Sequence, residues 1–341
     1  MQNEIKPAAI LLGSRRNLPF VYPADLLLEI SRHVTWLIDP RQVLATPVAE
    51  QSRLALPVET EIIFSTWGMP RLEEAFLDKL PNLRAVFYGA GSVRNFVTEA
   101  SWRRGVRIFS AAAANAIPVA EFTVAHVILG LKKAHLLREE VRGSWRAASS
   151  TRKDLRGNYG SRVGLISYGS IARHVRRLLR SYELEVWVYD PFLNEKDAQK
   201  DGIGLAGLEQ IFRECHAVSV HTPWLKETEN LVRGHHLASM QEDAIFINTA
   251  RGAIVHQAEM TEVLRRRPDL LAVLDVLYPE PPADDEPILA LGNAWVTPHI
   301  AGSMDYECGR MGKYALEAFR QFRGGSPSHL EVTEADMATM A

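Results

Sequence analysis

Six short apolar runs lie between residues 162 and 299: "RVGLIS", "LEVWVYD", "AVSVHT", "AIFINTA", "LLAVLDV" and "AWVTPH". Each stops at small or polar residues, and helical patterns separate them. They predict parallel strands buried on both faces and joined by crossover helices. Open sheets of this kind bind ligands beyond the carboxyl ends of their strands, where loops and helix N-termini converge. Those ends read, in order, Gly169 with Ser170, Asp190, His221 with Thr222, Thr249 with Arg251, Asp275 and His299.

The first third shows the same alternation. "AAILLG", "VTWLID", "EIIFST", "LRAVFYG" and "VRIFSA" alternate with helical stretches such as "PRLEEAFLDKL", which predicts another parallel sheet covered on both faces. A helix is expected from about Pro118 to Arg142, with Ile117, Val124, Ile128, Leu131 and Leu136 in helical rhythm. A looser polar surface crossing, "GSWRAASSTRKDLRGNYG", is expected to follow it.

The 341 residues, 47% hydrophobic, suffice for two domains. A net charge of −2 offers no excess of either sign to recruit nucleic acid or an anionic membrane. Cys215 and Cys308 stand far apart with no C-x-x-C pair, which suits a reducing compartment. No signal-peptide pattern opens the sequence, and "VAEFTVAHVILGL", broken by Glu121 and His126, reads as too short to cross a bilayer comfortably. A cytoplasmic protein with a buried helix at that point is expected.

The stretch "VGLISYGSIARHV" nearly matches a G-x-G-x-x-G phosphate loop, with Ser167, Gly169 and Ala172 at the three glycine places. Gly169 lets the backbone approach a pyrophosphate, and Ala172 is a permitted variant where helix packs on strand. Ser167 stands where the first glycine makes the tight turn, and predicts a looser turn. The helix opening at Ser170 aims its N-terminal N–H groups at phosphate. Ile171, Val175, Leu178, Leu179 and Tyr182 share one face, with Arg173, Arg176, Arg177 and Arg180 largely on the other. Roughly 20 residues on, Asp190 ends the next strand, where a carboxylate accepts from an adenosine ribose diol and repels a 2′-phosphate. These residues point to NAD, with NADH preferred over NADPH.

Together "VGLISYGSIAR", "VYDPF", "HTPWLKETENLV", "INTARGAIV", "LDVLYPEPP" and "VTPHIAGS" resemble, in order and spacing, the D-isomer-specific 2-hydroxyacid dehydrogenases. That family includes phosphoglycerate, glycerate and D-lactate dehydrogenases. The resemblance runs from about Ala85 to Ser303. It implies an NAD(H)-dependent enzyme acting on a small 2-keto or 2-hydroxy acid, with hydride transfer between nicotinamide C4 and substrate C2. By resemblance, Arg251 binds the substrate carboxylate and polarises the 2-oxo group, a task suited to a guanidinium fork. His299 is then the general acid and base, and Glu280 hydrogen-bonds its imidazole. Asp275 matches the position that contacts the nicotinamide carboxamide, and equally suits the capping of a strand end.

The resemblance further assigns Tyr168, Gly169, Ser170, Ile171, Asp190, His221, Thr222, Thr249, Ala250 and Gly302 to the cofactor. Gly68 of "STWGMP", with Gly91 and Ser92 of "YGAGSVRNF", would reach the substrate carboxylate through backbone N–H groups. Where the family commonly shows an acidic residue, this chain has Val93 and then Arg94. That cation either meets a second anionic group on the substrate or faces solvent.

The implied fold is α/β, with two doubly wound parallel-sheet domains, Rossmann-like and flavodoxin-like, and an active-site cleft between them. Residues 1–114 and 304–341 would form the substrate domain and residues 115–303 the NAD-binding domain, with "CGRMGKYALEAFRQF" as a helix returning to the first. Family habit also implies a homodimer through the nucleotide domain, with the apolar helix after Pro118 as a contact. No metal is expected. His216 and His221 flank one strand beside Cys215 without paired ligand spacing, and His235 and His236 should point different ways, toward solvent. A Ser/His/Asp hydrolase lacks its G-x-S-x-G elbow. Two other readings stand beside the dehydrogenase. One is a catalytically idle NAD-sensing regulator on the same fold, which Arg251, Glu280 and His299 argue against. The other is a cofactor-free scaffold, which only Ser167 encourages.

Overall fold

The computed structural model describes residues 5–45, 55–151 and 155–340. The chain divides into two compact units, Met1–Asn115 with Ser303–Ala341, and Ala116–Gly302.

In the first unit, β1 (Ala8–Leu12), β2 (Thr35–Trp36), β3 (Ile62–Ser65), β4 (Ala85–Tyr88) and β5 (Arg107–Ser110) pair in parallel in the order β5-β4-β3-β1-β2. A strand sends alternate side chains to opposite faces, and here both faces are apolar. Ala9, Leu11, Phe64 and Phe87 enter one core, while Ile10, Leu12, Ile63 and Val86 enter the other. The helix Cys308–Arg323 adds Met311, Ala315, Leu316 and Phe319 to the first of these cores. The Phe319 ring lies 5.4 Å from both Phe64 and Phe87. Burial of each such side chain stabilises the unit by roughly 1.5–3 kcal/mol.

The second unit holds β6 (Ser161–Ile166), β7 (Leu184–Tyr189), β8 (Gly204–Leu205), β9 (Ala217–Val220), β10 (Ile245–Asn248), β11 (Leu271–Leu274) and β12 (Ala294–Val296). They form one parallel sheet in the order β12-β11-β10-β9-β6-β7-β8. Val163, Leu165, Ile247 and Val273 face one core, and Val218, Phe246, Ala272 and Leu274 the other. Strand order reverses at β6, which lies between β7 and β9. The carboxyl ends of β6 and β9 therefore flank the crevice where open α/β sheets bind ligands. A last strand, β13 (Glu331–Val332), joins the first sheet antiparallel to β5.

All eleven expected runs contain strands, but several expected elements differ. "VTWLID" contributes only Thr35–Trp36, and β8 and β13 are two-residue edges with no period to read. The helix expected from Pro118 begins at Ala112, because the Ser110 hydroxyl accepts the Ala112 N–H at 3.1 Å, and Pro118 lies inside it. That helix ends at Leu131. Lys133 takes a left-handed conformation, φ 49°, and a separate helix, Ala134–Gly143, follows. The looser polar crossing folds in part as the helix Trp145–Thr151, where Ser144 Oγ accepts the Ala147 N–H at 3.3 Å. Residues 152–154 of that stretch lie outside the described residues.

At 20 residues, Ala112–Leu131 is long and apolar enough to cross a membrane by length and composition, in contrast to the shorter run expected. Half of its apolar window is nevertheless buried in the protein, and Ala120 and Val127 are completely so. The helix Ser170–Leu179 buries Ala172, Val175 and Leu179, whereas Tyr182, expected on that face, lies beyond the helix end and is exposed.

Candidate active site

β6 runs into the loop Ser167-Tyr168-Gly169 and then the helix Ser170–Leu179. The tight turn survives the missing glycine because Ser167 itself is left-handed, φ 70°, at a cost of roughly 1–2 kcal/mol for an L-residue. Its hydroxyl lies 2.9 Å from that of Thr222, which follows β9, and this bond offsets part of the cost. The expected looser turn is thus a strained, hydrogen-bonded one. Gly169 has φ −78°, and a Cβ added there would meet nothing within 4 Å, so the backbone is open to a ligand. Asp190 ties the loop to the end of β7: Oδ2 accepts the Tyr168 N–H at 2.7 Å and Oδ1 the Phe192 N–H at 2.8 Å.

After β9, both ring nitrogens of His221 are buried with no hydrogen-bond partner among the described residues. Burial pushes its pKa down to about 3, so the ring is neutral near pH 7. Buried polar atoms are rarely left this way. An orphaned imidazole next to an open loop and a helix N-terminus fits a dinucleotide whose polar groups would complete it. Thr249 is buried, and its hydroxyl lies 3.4 Å from that of Thr123.

Asp275, 1% exposed, follows β11 and meets the segment beyond β12. Oδ1 accepts the Thr297 hydroxyl at 2.6 Å and the Ile300 N–H at 2.8 Å, and Oδ2 accepts the Ala301 N–H at 2.8 Å. The Asp275 carbonyl accepts the His299 N–H at 3.0 Å. Of its two expected tasks, these contacts are those of the cap. They hold His299 left-handed, φ 54°, a conformation that persists only where its surroundings over-determine it. His299 Nδ1 lies 2.6 Å from Glu280 Oε1. An ionised carboxylate only accepts, so Nδ1 carries a proton in this pair and Nε2 is left to face other partners. Both side chains are partly open to solvent.

Arg251 follows β10 through a turn closed by Asn248, whose Oδ1 accepts the Ala250 N–H at 3.0 Å and whose Nδ2 donates to the Arg251 carbonyl at 3.0 Å. Asn248 is a site residue that the polar strand-end pattern alone does not mark. A buried amide ending the apolar run "IFIN" is the signal that identifies it. Arg251 Nη1 donates to the Ala250 carbonyl at 2.6 Å. Burial pulls the Arg251 pKa down and the Glu280 carboxylate opposes that shift; the guanidinium stays cationic. At Gly252, an added Cβ would lie 2.2 Å from the carbonyl carbon and oxygen of Leu277 and 2.6 Å from Tyr278 N. Only glycine lets the residue after Arg251 lie on the segment that leads to Glu280. Arg251, Glu280 and His299 are brought together in this way within the second unit.

In the first unit, Gly68 follows β3 with φ 86°, and Gly91 and Ser92 follow β4, where Ser110 Oγ donates to the Gly91 carbonyl at 2.6 Å. Arg94 corrects both expectations for it. Its Nε donates to the Met340 carbonyl at 2.9 Å and Nη2 to the carbonyls of Met340, at 2.8 Å, and Met337. The guanidinium therefore docks the C-terminal segment.

His216 Nδ1 accepts the Arg162 N–H at 2.9 Å. His235 and His236 do not diverge: their rings are 4.0 Å apart, and their Nε2 atoms approach Glu209 Oε1 at 3.3 and 3.0 Å. The cause is the short helix Gly234–Ala238, which the buried His236 turns inward to cap, its Nδ1 accepting the Arg233 N–H at 2.9 Å. That bond leaves the neutral ring's proton on Nε2, aimed at Glu209, in a hydrogen bond instead of a metal-ligating lone pair.

Fold and site together define an α/β protein with a dinucleotide-type sheet whose strand ends carry a guanidinium and an imidazole–carboxylate pair. Residues 124–301 match the profile of the D-isomer specific 2-hydroxyacid dehydrogenase, NAD binding domain. The chain belongs to the D-isomer specific 2-hydroxyacid dehydrogenase family. It is 31% identical over 236 residues to the (S)-sulfolactate dehydrogenase of Chromohalobacter salexigens, covering 68% of this chain and 75% of that one. It is 29% identical over 234 residues to the D-3-phosphoglycerate dehydrogenase of Archaeoglobus fulgidus, covering 68% of this chain and 44% of the relative. The match thus spans less than half the length of the latter protein. A phosphoglycerate oxidoreductase from Rhizobium etli has the same fold, with a TM-score of 0.78 at 19% identity over 96% of this chain and 99% of that one.

Proposed function

We propose that this chain is an NAD(H)-dependent D-2-hydroxyacid dehydrogenase that reduces a small 2-keto acid. The observation that carries this reading is the His299–Glu280 pair, 2.6 Å apart and electrostatically coupled through Glu280 to Arg251. An acid–base pair beside a carboxylate-binding cation has a use in this chemistry and none in an idle nucleotide sensor. When bound, NADH supplies a hydride from nicotinamide C4 to substrate C2. Arg251 grips the substrate carboxylate through parallel N–H···O bonds and polarises the 2-oxo group. His299 Nε2 delivers a proton to the ketone oxygen, while Glu280 accepts from Nδ1–H and orients the ring. In the first unit, the backbone N–H groups of Gly68, Gly91 and Ser92 are assigned to substrate.

In this reading residues 1–114 and 304–341 bind substrate and residues 115–303 bind NAD. The backbone from Tyr168 to Ile171 holds the pyrophosphate, and Asp190 takes the ribose diol. His221, Thr222, Thr249, Ala250, Asp275 and Gly302 line the rest of the cofactor site. A homodimer through the second unit is supported by a shallow depression there, lined by Val124, Ile128, Leu129, Leu178 and Tyr182. Light scattering should give the mass of two chains, and a mass of one chain would remove the dimer.

The direct test follows NADH and NADPH oxidation by absorbance with glyoxylate, hydroxypyruvate, pyruvate, phenylpyruvate and branched 2-keto acids. At least one acid should drive NADH oxidation at about 1 s⁻¹ or faster, with a lower kcat/KM for NADPH. Asp190→Ala should raise the KM for NADH by roughly 10- to 100-fold, as the loss of a hydrogen bond to a charged group implies, and raise that for NADPH much less. NADH binding without turnover across the panel would favour the idle regulator. An unchanged cofactor preference in Asp190→Ala would undo the ribose assignment.

A further inference from the structure

We propose that a basic pocket along the helix Ser170–Leu179, bordering the dinucleotide loop, binds a small phosphorylated anion in addition to the cofactor. The pocket is about 350 Å³; Tyr168 and Ser170 of the loop border it, and Arg173, His174, Arg176, Arg177 and Arg180 line the rest against a single carboxylate, Asp201. Residues three and four apart share one stripe of a helix, so these cations are neighbours. Arg173 and Arg180 both lean on Asp201, at 3.1 and 3.8 Å. Arg176 donates to the carbonyls of Asp201 and Gly202 at 3.1 and 3.0 Å, which supply dipoles but no opposite charge. Arg177 donates to His174 Nδ1 at 2.6 Å. Burial and the Arg177 charge lower the His174 pKa, so this ring accepts as a neutral group.

Four guanidinium groups against one carboxylate leave 4 − 1 = 3 positive charges lining this pocket, in a chain whose net charge is −2. Like charges at this spacing repel, and an anion in the pocket would relieve that repulsion. Guanidinium forks match phosphate oxygens in geometry as well as charge. The concavity selects a small anion. A nucleic acid or a membrane would need basic groups continuing outward along the surface.

The pocket also touches the loop. Arg173 lies over the Tyr168 ring, 4.6 Å from its centroid, and the Tyr168 hydroxyl donates to Asp201 Oδ2 at 2.9 Å. The Tyr168 N–H is the one that Asp190 holds. An anion that draws Arg173 away from Asp201 and Tyr168 therefore acts on the loop and weakens cofactor binding. This coupling rests on the dehydrogenase reading; the anion site does not.

The test is calorimetric titration of the full chain with inorganic pyrophosphate in phosphate-free buffer, with and without saturating NADH. One saturable site should persist with NADH present. It should weaken at least about tenfold in Arg177→Glu and in Arg180→Glu, since charge-assisted bonds are lost and a like charge is introduced. Melting curves should show each variant folded, and either variant suffices if the other fails to fold. Absence of saturable binding would overturn the site. So would binding that NADH displaces and the two variants leave intact, which would put pyrophosphate on the dinucleotide loop. Tighter binding of duplex DNA or of anionic phospholipid vesicles than of pyrophosphate would overturn the small-anion assignment. For the coupling, pyrophosphate should raise the KM for NADH at least about threefold in the parent and not in Arg177→Glu; an unchanged KM in the parent would remove it. A chain without turnover that still binds pyrophosphate in this way would fail the dehydrogenase reading and keep the site.

Discussion

Replacing His299 by alanine should cut turnover by roughly two to four orders of magnitude, the range over which a positioned general acid contributes, and leave NADH binding nearly intact. The expectation follows from how the imidazole is held. Glu280 engages Nδ1 at 2.6 Å, so the ring has one tautomer and one orientation, and Nε2 is the atom available to exchange a proton with a ligand. Methyl replacement removes that atom without touching the loop Ser167-Tyr168-Gly169, which lies at the end of another strand. The readouts are steady-state kcat on whichever 2-keto acid the parent reduces, and NADH affinity by fluorescence titration. Glu280→Gln should fall between parent and His299→Ala, because an amide oxygen can still accept from Nδ1–H and orient the ring but does so more weakly than a carboxylate. Turnover within threefold of the parent in His299→Ala would remove the proton-transfer role.

Gly252→Ala should be nearly as damaging, and through packing. A methyl group at that position would stand 2.2 Å from the Leu277 carbonyl, and backbone atoms of a segment between a strand and a turn cannot swing aside as a side chain does. The cost should reach or exceed the roughly 3 kcal/mol upper end of ordinary overpacking. Relief by separating the two segments would move Arg251 away from Glu280, and a displacement of about 1 Å at a positioning residue lowers kcat/KM by roughly 100-fold. Urea melts and steady-state kinetics read the two effects. Gly207→Ala is the comparison, since a methyl there meets no atom within 4 Å. Parent-like stability and activity in Gly252→Ala would mean that these segments do not need the close approach.

Strands buried on both faces are written as continuous apolar runs, which is why the nine interior strands are legible in the sequence; the edge strands β2 and β12 lie within longer apolar runs. β8 and β13, each of two residues, carry too little pattern to be seen. The start of the helix Ala112–Leu131 was obscured by Pro118, which is at home in a first helical turn and so marks a plausible beginning. In the site, residue types at strand ends gave the candidates, but their partners come from afar. Asp275 reaches Thr297, Ile300 and Ala301, and Gly252 meets Leu277. No local pattern specifies such meetings. Ser167 could be located as the departure from the loop pattern, yet whether serine would loosen the turn or adopt the glycine's left-handed backbone depends on Thr222, far along the chain. Arg94 and the pair His235 and His236 differ from their sequence expectations for the same reason: each answers to a group that only folding brings near.

The Asp275 carboxylate has a consequence for altering this protein. The backbone that carries the imidazole is anchored by amides at 300 and 301, which answer to one buried carboxylate, while Glu280 orients the ring itself. Side chains around His299 other than Glu280 can therefore be exchanged without moving the backbone on which the imidazole stands. An asparagine in place of Asp275 would turn an N–H₂ toward an amide N–H, and could not serve as a silent isostere.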